Sequence, residues 1–332
     1  MGNIIARVYK HQIFFPMLLA IIACLVPLFV TAAHILSIFV LTFYVAIASM
    51  SWNILGGMTG QNSLGHASLM GVGAYVSAII VTRTDISPWV SLPIAMVVVG
   101  LLAMVAFYPC FILRGPYFTL VTIAIGEVLR NFFINWEFAG RANGILLPFG
   151  ADSFVDFRFL SRVPYYYAGL ILMLAVYFFI RKMDNSKLGF ALKTIRENED
   201  VAASIGINPT KYKVIAVGIS ASVAAIAGFF YVQFFRYIDP DIMLPIFSVE
   251  FVLPAVIGGS AFVGGPVLGA LILIPLSEFL RAQFGAALPG VNLLIYSAIL
   301  IMIIRFQPVG ILGWWHNHKR RAVEKGEGVT HE

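Results

Sequence analysis

Long apolar runs recur along the chain, separated by short polar stretches. There are ten of them: Ile13–Thr31, Ile35–Leu55, Ser63–Thr82, Trp89–Ile112, Pro116–Trp136, Pro164–Ile180, Val214–Phe235, Ser248–Gly258, Gly265–Leu280 and Val291–Ile304. A helix crosses a bilayer with roughly 20 apolar residues, and continuous rather than alternating runs favour helices over barrel strands. The pattern predicts an all-α, polytopic transmembrane bundle of about ten spans.

The composition excludes most soluble classes of protein. Hydrophobic residues make up 60% of the chain and charged residues 11%, whereas soluble domains carry about 25% charged residues. Too few polar side chains remain to cover a soluble core. We therefore expect a lipid bilayer around the chain, and exclude a soluble enzyme, a nucleic-acid binder and a disordered protein.

The net charge of +6 is interpreted from where the charges lie. Ten crossings put both termini on one side, which then holds 15 of the 22 Lys and Arg residues, with 6 on the other side and Arg130 within a span. Cytoplasmic loops of membrane proteins carry the excess of Lys and Arg. The prediction is that both termini are cytoplasmic.

The polar stretches define the organisation of the chain. Residues 1–313 form one transmembrane domain with a long outer loop, 137–163, and a long inner loop, 181–213, and residues 314–332 form a basic cytoplasmic tail. Cys24 and Cys110 are isolated in apolar runs, which predicts packing rather than a disulfide or a metal site.

Glycines interrupt the apolar pattern at two comparable places. Gly60 and Gly65 precede one inside-to-outside crossing, and Gly259 and Gly264 precede another. Interrupted segments at corresponding places in two halves indicate an internal repeat around a translocation site. The alternative is that these glycines only allow close helix packing.

Polar residues follow the first of these breaks. Gln61, Ser63 and His66 begin the third apolar run, where non-helical backbone must be covered by protein or line a water-filled cavity. His66 is either a proton carrier or solute contact, or a hydrogen-bonded packing histidine. Together with Asn143 in the outer loop, these residues are candidates for a translocation path.

Glu127 and Arg130 lie within the fifth run. Glu127 is eleven residues beyond Pro116, or roughly 16 Å of helical rise, and a residue three positions on shares its face. Isolated charges at that depth are costly, so we expect the two to pair and to face the bundle interior. They either line the path of a zwitterionic solute or lock neighbouring helices.

The inner loop mixes apolar and charged positions between Leu188 and Gly206. Gly206 followed by Asn208-Pro209 ends a helix sharply. The expected packing positions are Leu188, Ala191, Leu192, Ile195, Ala202, Ala203 and Ile205. A short amphipathic helix here is a docking site for a soluble partner or, alternatively, a helix lying at the lipid interface.

Motifs for catalysis are missing from the sequence. It contains no phosphate-binding G-x-x-x-x-G-K-[ST] loop, no H-E-x-x-H, no G-x-S-x-G and no Cys/His cluster. We expect no catalytic residue, no metal and no cofactor on this chain, and no ATP hydrolysis by that route.

Several segments together resemble a known family, the LivM-type permeases of bacterial branched-chain amino acid ABC importers. The similar segments, in order between about Asn53 and Gly313, are Gly60–Ala67, Gly71–Tyr75, Leu113–Arg130, the inner-loop positions 196–206, Ile257–Gly259, Gly264–Ala270 and Pro308–Gly313.

The resemblance implies a function and partners. It implies a permease subunit for branched-chain or related amino acids in a bacterial plasma (inner) membrane, working with a second, LivH-type permease, two cytoplasmic ATPase subunits that use the ATP, and an extracytoplasmic solute-binding protein. The residues it implies for coupling to the ATPase are Arg196, Glu197, Asn198, Glu199, Ala202, Ala203 and Gly206.

Two departures from the family pattern leave alternatives open. Arg141 adds a cation near the outer mouth, and Gln307 stands where the family often has arginine. The first leaves urea or short amides as alternative solutes. A stand-alone ion-coupled transporter, with Glu127 as the coupling group, is the alternative from another class.

Overall fold

The computed structural model describes residues 23–27, 29, 32–84, 86–113, 115–284, 291–306 and 310–314. Its helices are α1 (Ala33–Thr59), α2 (His66–Arg83), α3 (Pro88–Phe107), α4 (Pro116–Asn135), α5 (Arg162–Asp184), α6 (Lys187–Glu197), α7 (Glu199–Ser204), α8 (Pro209–Phe235), α9 (Pro245–Gly258), α10 (Gly265–Phe284) and α11 (Val291–Phe306). Two short strands, β1 (Ile145–Leu146) and β2 (Tyr237–Ile238), pair in antiparallel register.

Among the described residues, six stretches are helical, long and apolar enough to cross a membrane. They are Ala33–Thr59, Pro88–Ile112, Pro116–Asn135, Arg162–Asp184, Pro209–Phe235 and Gly265–Phe284. This confirms a polytopic helical membrane protein. The count of ten spans and the side of the termini stay predictions, since most of the run Ile13–Thr31, Gln307 and nearly all of the tail lie outside the described residues.

One of the predicted runs forms a helix of less than spanning length. The run Ser248–Gly258 becomes α9, whose 14 residues rise about 21 Å, short of the roughly 30 Å hydrocarbon core. The run Val291–Ile304 lies within α11, of which 16 residues are described. Gly259, with a φ of 107°, ends α9 abruptly. The backbone geometry of Gly259 explains why α9 and α10 are two helices and not one continuous helix.

The centre of the bundle is α8. It packs against α1, α2 and α3, while α9 and α10 pack against each other and against α1. At Gly228 a Cβ would overlap the backbone carbonyl of Met70 on α2, and at Gly73 it would overlap Ala225 on α8. Small residues let the backbones of membrane helices approach closely, so these glycines bring α2 directly against α8.

The outside of the bundle is apolar where it meets lipid. On α3, Val90, Val97, Leu101 and Val105 are exposed, and their spacing of seven and four residues forms one stripe along the helix. In a bilayer this stripe needs no protein partner, because lipid tails are as apolar as the side chains.

The inner loop forms two helices instead of the single one expected. Asn198 adopts extended backbone, with φ −161° and ψ 117°, and its side chain accepts hydrogen bonds from the amides of Asp200 and Val201. This is N-cap geometry. The cap ends α6 and starts α7 at Asn198, and the apolar pattern gives no sign of that break.

The outer loop is tied to the segment after α8. Strand β1 in the loop pairs with β2, so that Ile145 lies opposite Ile238, and the Leu147 amide donates to the Arg236 carbonyl at 2.8 Å. The all-α prediction therefore holds for the described membrane part, and one small strand pair joins the outer loop to the segment after α8.

Candidate functional site

A non-helical segment, residues 60–65, enters the bundle between α1 and α2. Gly60 has a φ of 73°, which glycine adopts without strain, and it turns the chain out of α1. The indole nitrogen of Trp52 donates to the Ser63 carbonyl at 2.7 Å, and the Leu64 amide donates to the Thr122 hydroxyl at 3.1 Å. The freed backbone groups thus find partners on α1 and α4, as membrane burial requires.

His66 opens α2 and lies within the core. Its Nε2 is 2.8 Å from the Ser220 hydroxyl, and the residue is 1% exposed. Ser220 also bonds α1: its hydroxyl donates to the Ser51 carbonyl, and the Ser51 hydroxyl donates to the Ser220 carbonyl, both at 2.7 Å. His66 is therefore part of a polar cluster that joins α1, α2 and α8.

The cluster extends towards α9. The Ala67 amide donates to the Ser248 hydroxyl at 2.9 Å. Within the described part of the chain, His66 Nδ1 and the Asn53 side-chain oxygen are buried without a hydrogen-bond partner. The contacts favour a hydrogen-bonded packing role for His66, while the unpartnered Nδ1 is the atom that a solute or proton role would use.

Sequence reasoning found part of this cluster and missed the remainder. Gln61, Ser63 and His66 are all buried. Their partners Ser51, Thr122, Ser220 and Ser248 were missed. Serine and threonine are common in membrane helices, where they often bond their own backbone, so their presence in an apolar run does not reveal which ones face a neighbouring helix.

Glu127 and Arg130 pair on α4, but their setting differs from the expected one. The Arg130 guanidinium lies 3.5 Å from Glu127 and 2.6 Å from Asp241, and the Glu127 side chain is 36% exposed. The pairing is confirmed, whereas the expectation that both face the bundle interior was wrong. Asp241, in the 3-10 turn Pro240–Met243, is the closer partner, and no sequence spacing links it to Arg130.

The inner segment α6–α7 forms ion pairs and a hydrogen bond with three transmembrane helices. Lys193 pairs with Asp184 at the end of α5 at 2.6 Å, and the Arg196 guanidinium donates to the Gly57 carbonyl on α1 at 2.6 Å. Glu199 pairs with Lys213 on α8 at 2.7 Å. These contacts join the segment to α1, α5 and α8.

The same segment has an exposed apolar surface, formed by Phe190, Val201 and Ile205, with exposures of 67%, 53% and 62%. Leu192, Ile195 and Ala202 are buried against the bundle as expected. Ala203 and Ile205, also expected to pack, are exposed instead. Glu197, Asn198 and Gly206 are likewise exposed.

The outer loop carries the remaining candidates. Asn143 is exposed, and its carbonyl accepts a hydrogen bond from the Tyr237 hydroxyl at 3.1 Å. Arg141 pairs with Glu137 at 3.4 Å on the surface. Neither residue contacts the His66 cluster through a hydrogen bond in the described structure.

A small cavity of about 130 Å³ lies beneath the outer loop. It is lined by Val81, Ile86, Pro88, Pro148, Asp156, Arg158 and Arg236. Asp156 pairs with Arg158, and the hydrogen bond from Arg158 holds the pKa of the Asp156 carboxyl below its usual value. In the described ranges no three His, Cys, Asp or Glu side chains are grouped to hold a metal ion.

Comparison with known proteins gives consistent matches. A family model described as the permease component of the branched-chain amino acid transport system matches residues 34–304. The high-affinity branched-chain amino acid permease proteins LivM of Salmonella typhimurium and Escherichia coli are each 26% identical, over 91% of this chain and 75% of theirs.

A second kind of permease also matches. A probable branched-chain amino acid permease protein, LivH of Methanocaldococcus jannaschii, is 27% identical over 75% of this chain and 82% of its own length. No solved structure matches the chain.

Proposed function

The chain belongs to the family of permease components of branched-chain amino acid transport systems, and we propose that it forms one membrane half of an ATP-driven importer. In this proposal it passes branched-chain amino acids inward after an extracytoplasmic binding protein delivers them. The observation that carries the proposal is the family match over residues 34–304.

The structure supports coupling to separate ATPase subunits through α6–α7. The exposed apolar residues of this segment offer a docking surface for a soluble protein. In this proposal, its polar contacts with α1, α5 and α8 pass movement of the segment to those helices. The chain needs no nucleotide site of its own in this scheme, since two partner subunits hydrolyse the ATP. We propose no cofactor on the chain itself.

A second permease completes the membrane part. Polar side chains on α4, including Glu127, Asn131 and Asn135, are at least partly exposed, although α4 is apolar enough to span the bilayer. Polar groups within a membrane face protein or water-filled cavities rather than lipid. We propose that the face of α4 lines the solute path against a LivH-type half, with about ten spans in this half and both termini cytoplasmic, in a bacterial inner membrane.

Two other candidates differ in solute or in energy source. Because Arg141 adds a cation near the outer mouth, urea or short amides are alternative solutes for the same kind of ATP-driven importer. A stand-alone transporter driven by an ion gradient is favoured only by the carboxylate of Glu127, which is partly exposed on a spanning helix.

A panel of solutes distinguishes these candidates. The chain is reconstituted with its second permease, ATPase subunits and binding protein, and uptake of labelled leucine, isoleucine, valine, urea and acetamide is compared. We expect uptake of the three amino acids only when ATP is present on the side of the membrane that carries the ATPase subunits. Uptake of urea in preference to leucine contradicts the solute class, and uptake by the lone chain in a proton or sodium gradient contradicts the energy source.

A further inference from the structure

Helix α8 is the most enclosed of the six spans that the structure describes, and each of its ends carries a buried cation. Of the apolar window that defines the span, 72% is buried, and its 27 residues rise about 40 Å, enough to reach both membrane surfaces. Lys213 lies near the inner end and Arg236 directly follows the outer end. Lysine and arginine are rarely fully buried unless they are paired.

The inner cation holds the coupling segment. The Lys213 side chain is 0% exposed, and its ammonium is 2.7 Å from the carboxylate of Glu199, the first residue of α7. Lys211, two positions earlier on the same helix, is exposed. Lys213 is buried whereas its neighbour Lys211 is exposed. The contact between α7 and α8 therefore depends on the specific Lys213–Glu199 pair and not on the general positive charge at this membrane surface.

The outer cation holds the outer loop. Arg236 is 7% exposed, and its guanidinium donates to the Phe157 carbonyl at 2.7 Å and to the Gln233 side-chain oxygen at 3.2 Å. Its own carbonyl accepts from Leu147 at 2.8 Å. Arg236 has a φ of 59° and ends α8 as its left-handed C-cap, a conformation that is uncommon for a residue with a side chain.

Between the two ends, α8 is held by stiff contacts. The Gly228 contact with α2 and the Ser220 bonds to α1 and α2 leave little freedom for its backbone. A rigid helix that is held at both ends can carry a coupling free energy between distant sites when it has two arrangements that both sites bias.

We propose that α8 transmits the docking of the loaded binding protein on the outer loop to the ATPase subunits, with Arg236 and Lys213 as the positioning residues at its two ends. The inference rests on the proposed function. A shift of the outer loop moves Arg236 and α8, and Lys213 then moves Glu199 and α7. Because linked equilibria are reciprocal, binding of ATP to the partner subunits also changes the affinity of the outer face for the binding protein.

The test measures how strongly leucine-loaded binding protein stimulates ATP hydrolysis by the reconstituted complex. For each variant, the result is the rate of ATP hydrolysis with binding protein divided by the rate without it. We expect Lys213→Met and Arg236→Gln each to lower this ratio at least about fivefold, the lower end of ordinary allosteric coupling, while the matched variant Lys211→Met keeps the wild-type ratio.

The double variant shows whether Arg236 and Lys213 act on one coupling route or on two independent ones. If α8 is the route, Lys213→Met combined with Arg236→Gln lowers the ratio no further than either single change. Effects that multiply, or a Lys213→Met ratio equal to that of Lys211→Met, overturn the proposal.

Folding is controlled with paired variants. Lys213→Met with Glu199→Gln leaves no unpaired charge, and the exchange Lys213→Glu with Glu199→Lys restores the pair. We expect the exchange to recover part of the stimulation that Lys213→Met loses. If both paired variants fail to assemble with the partner subunits, Lys213 serves folding alone and the proposal is overturned. A wild-type complex without ATP-driven uptake would instead contradict the proposed function.

Discussion

Ser51 on α1 and Ser220 on α8 exchange hydrogen bonds, each hydroxyl donating to the carbonyl of the other residue at 2.7 Å. The exchange joins two long, antiparallel spans deep in the bundle. Ser220 also lies 2.8 Å from His66, so this one serine connects α1, α2 and α8.

The first prediction concerns Ser220 itself. Ser220→Ala removes the partners of the Ser51 carbonyl and of His66 Nε2, and should lower the free energy of unfolding by about 1–2 kcal/mol, since single intramembrane hydrogen bonds contribute up to about 1.7 kcal/mol. Ser37→Ala is the control, because the Ser37 hydroxyl bonds only Ala33 within its own helix. Thermal unfolding in detergent measures both. Equal stability of the two variants would show that the serine exchange contributes little.

The second prediction tests the close approach of α2 and α8. A Cβ at Gly228 overlaps the Met70 carbonyl, whereas a Cβ at Gly126 meets the Ser68 hydroxyl at an ordinary 3.5 Å. Gly228→Ala should therefore destabilise the protein by about 1–3 kcal/mol, as overpacking does, and Gly126→Ala should not. Both are read from the yield of folded protein and its thermal midpoint. A Gly228→Ala variant as stable as Gly126→Ala contradicts the packing.

The third prediction separates the two acidic partners of Arg130. Asp241 is closer to the guanidinium than Glu127, 2.6 Å against 3.5 Å. Asp241→Asn should slow ATP-driven uptake by up to about fivefold, the scale of a partly exposed ion pair, because it frees α4 from the segment that follows α8.

Glu127→Gln provides the comparison for Asp241→Asn. We expect it to change uptake less than about twofold, as only a long contact is lost. A larger loss with Glu127→Gln than with Asp241→Asn would assign the essential role to Glu127 and would strengthen the case for ion coupling.

The fourth prediction concerns docking of the ATPase. Ile205 on the inner segment is 62% exposed, and Ile112 near the end of α3 is 84% exposed. Ile205→Ser should weaken co-purification of the ATPase subunits about 30-fold, the effect of losing a 2 kcal/mol hot spot, while Ile112→Ser leaves it unchanged. Pull-down at graded ATPase concentration measures the difference. Equal weakening by both changes would place docking elsewhere.

Much of the architecture could be predicted from the sequence, because the length of an apolar run is dictated by the thickness of the bilayer. The runs that became α1, α3, α4, α5, α8 and α10 show this directly. The run Ser248–Gly258 is already short, with 11 residues, and α9 extends it only to 14; counting it as a full span was the weak step, since about 20 residues are needed.

The site was predicted less completely. His66, Glu127 and Arg130 stand out because polar groups are rare in apolar runs. Their partners Ser220 and Asp241 lie 154 and 111 positions away along the chain, and only the packing of α8 brings them near. Lys213 was missed for a similar reason: at the start of an apolar run a lysine normally extends to the interface, whereas here it is buried against Glu199.

The most direct measurement of the central claim is leucine uptake into proteoliposomes that hold the complete complex, with either active or catalytically inactive ATPase subunits. We predict that uptake requires ATP and that the inactive subunits abolish it, although they still assemble with this chain. Leucine uptake that persists with the inactive subunits would contradict an ATP-driven permease.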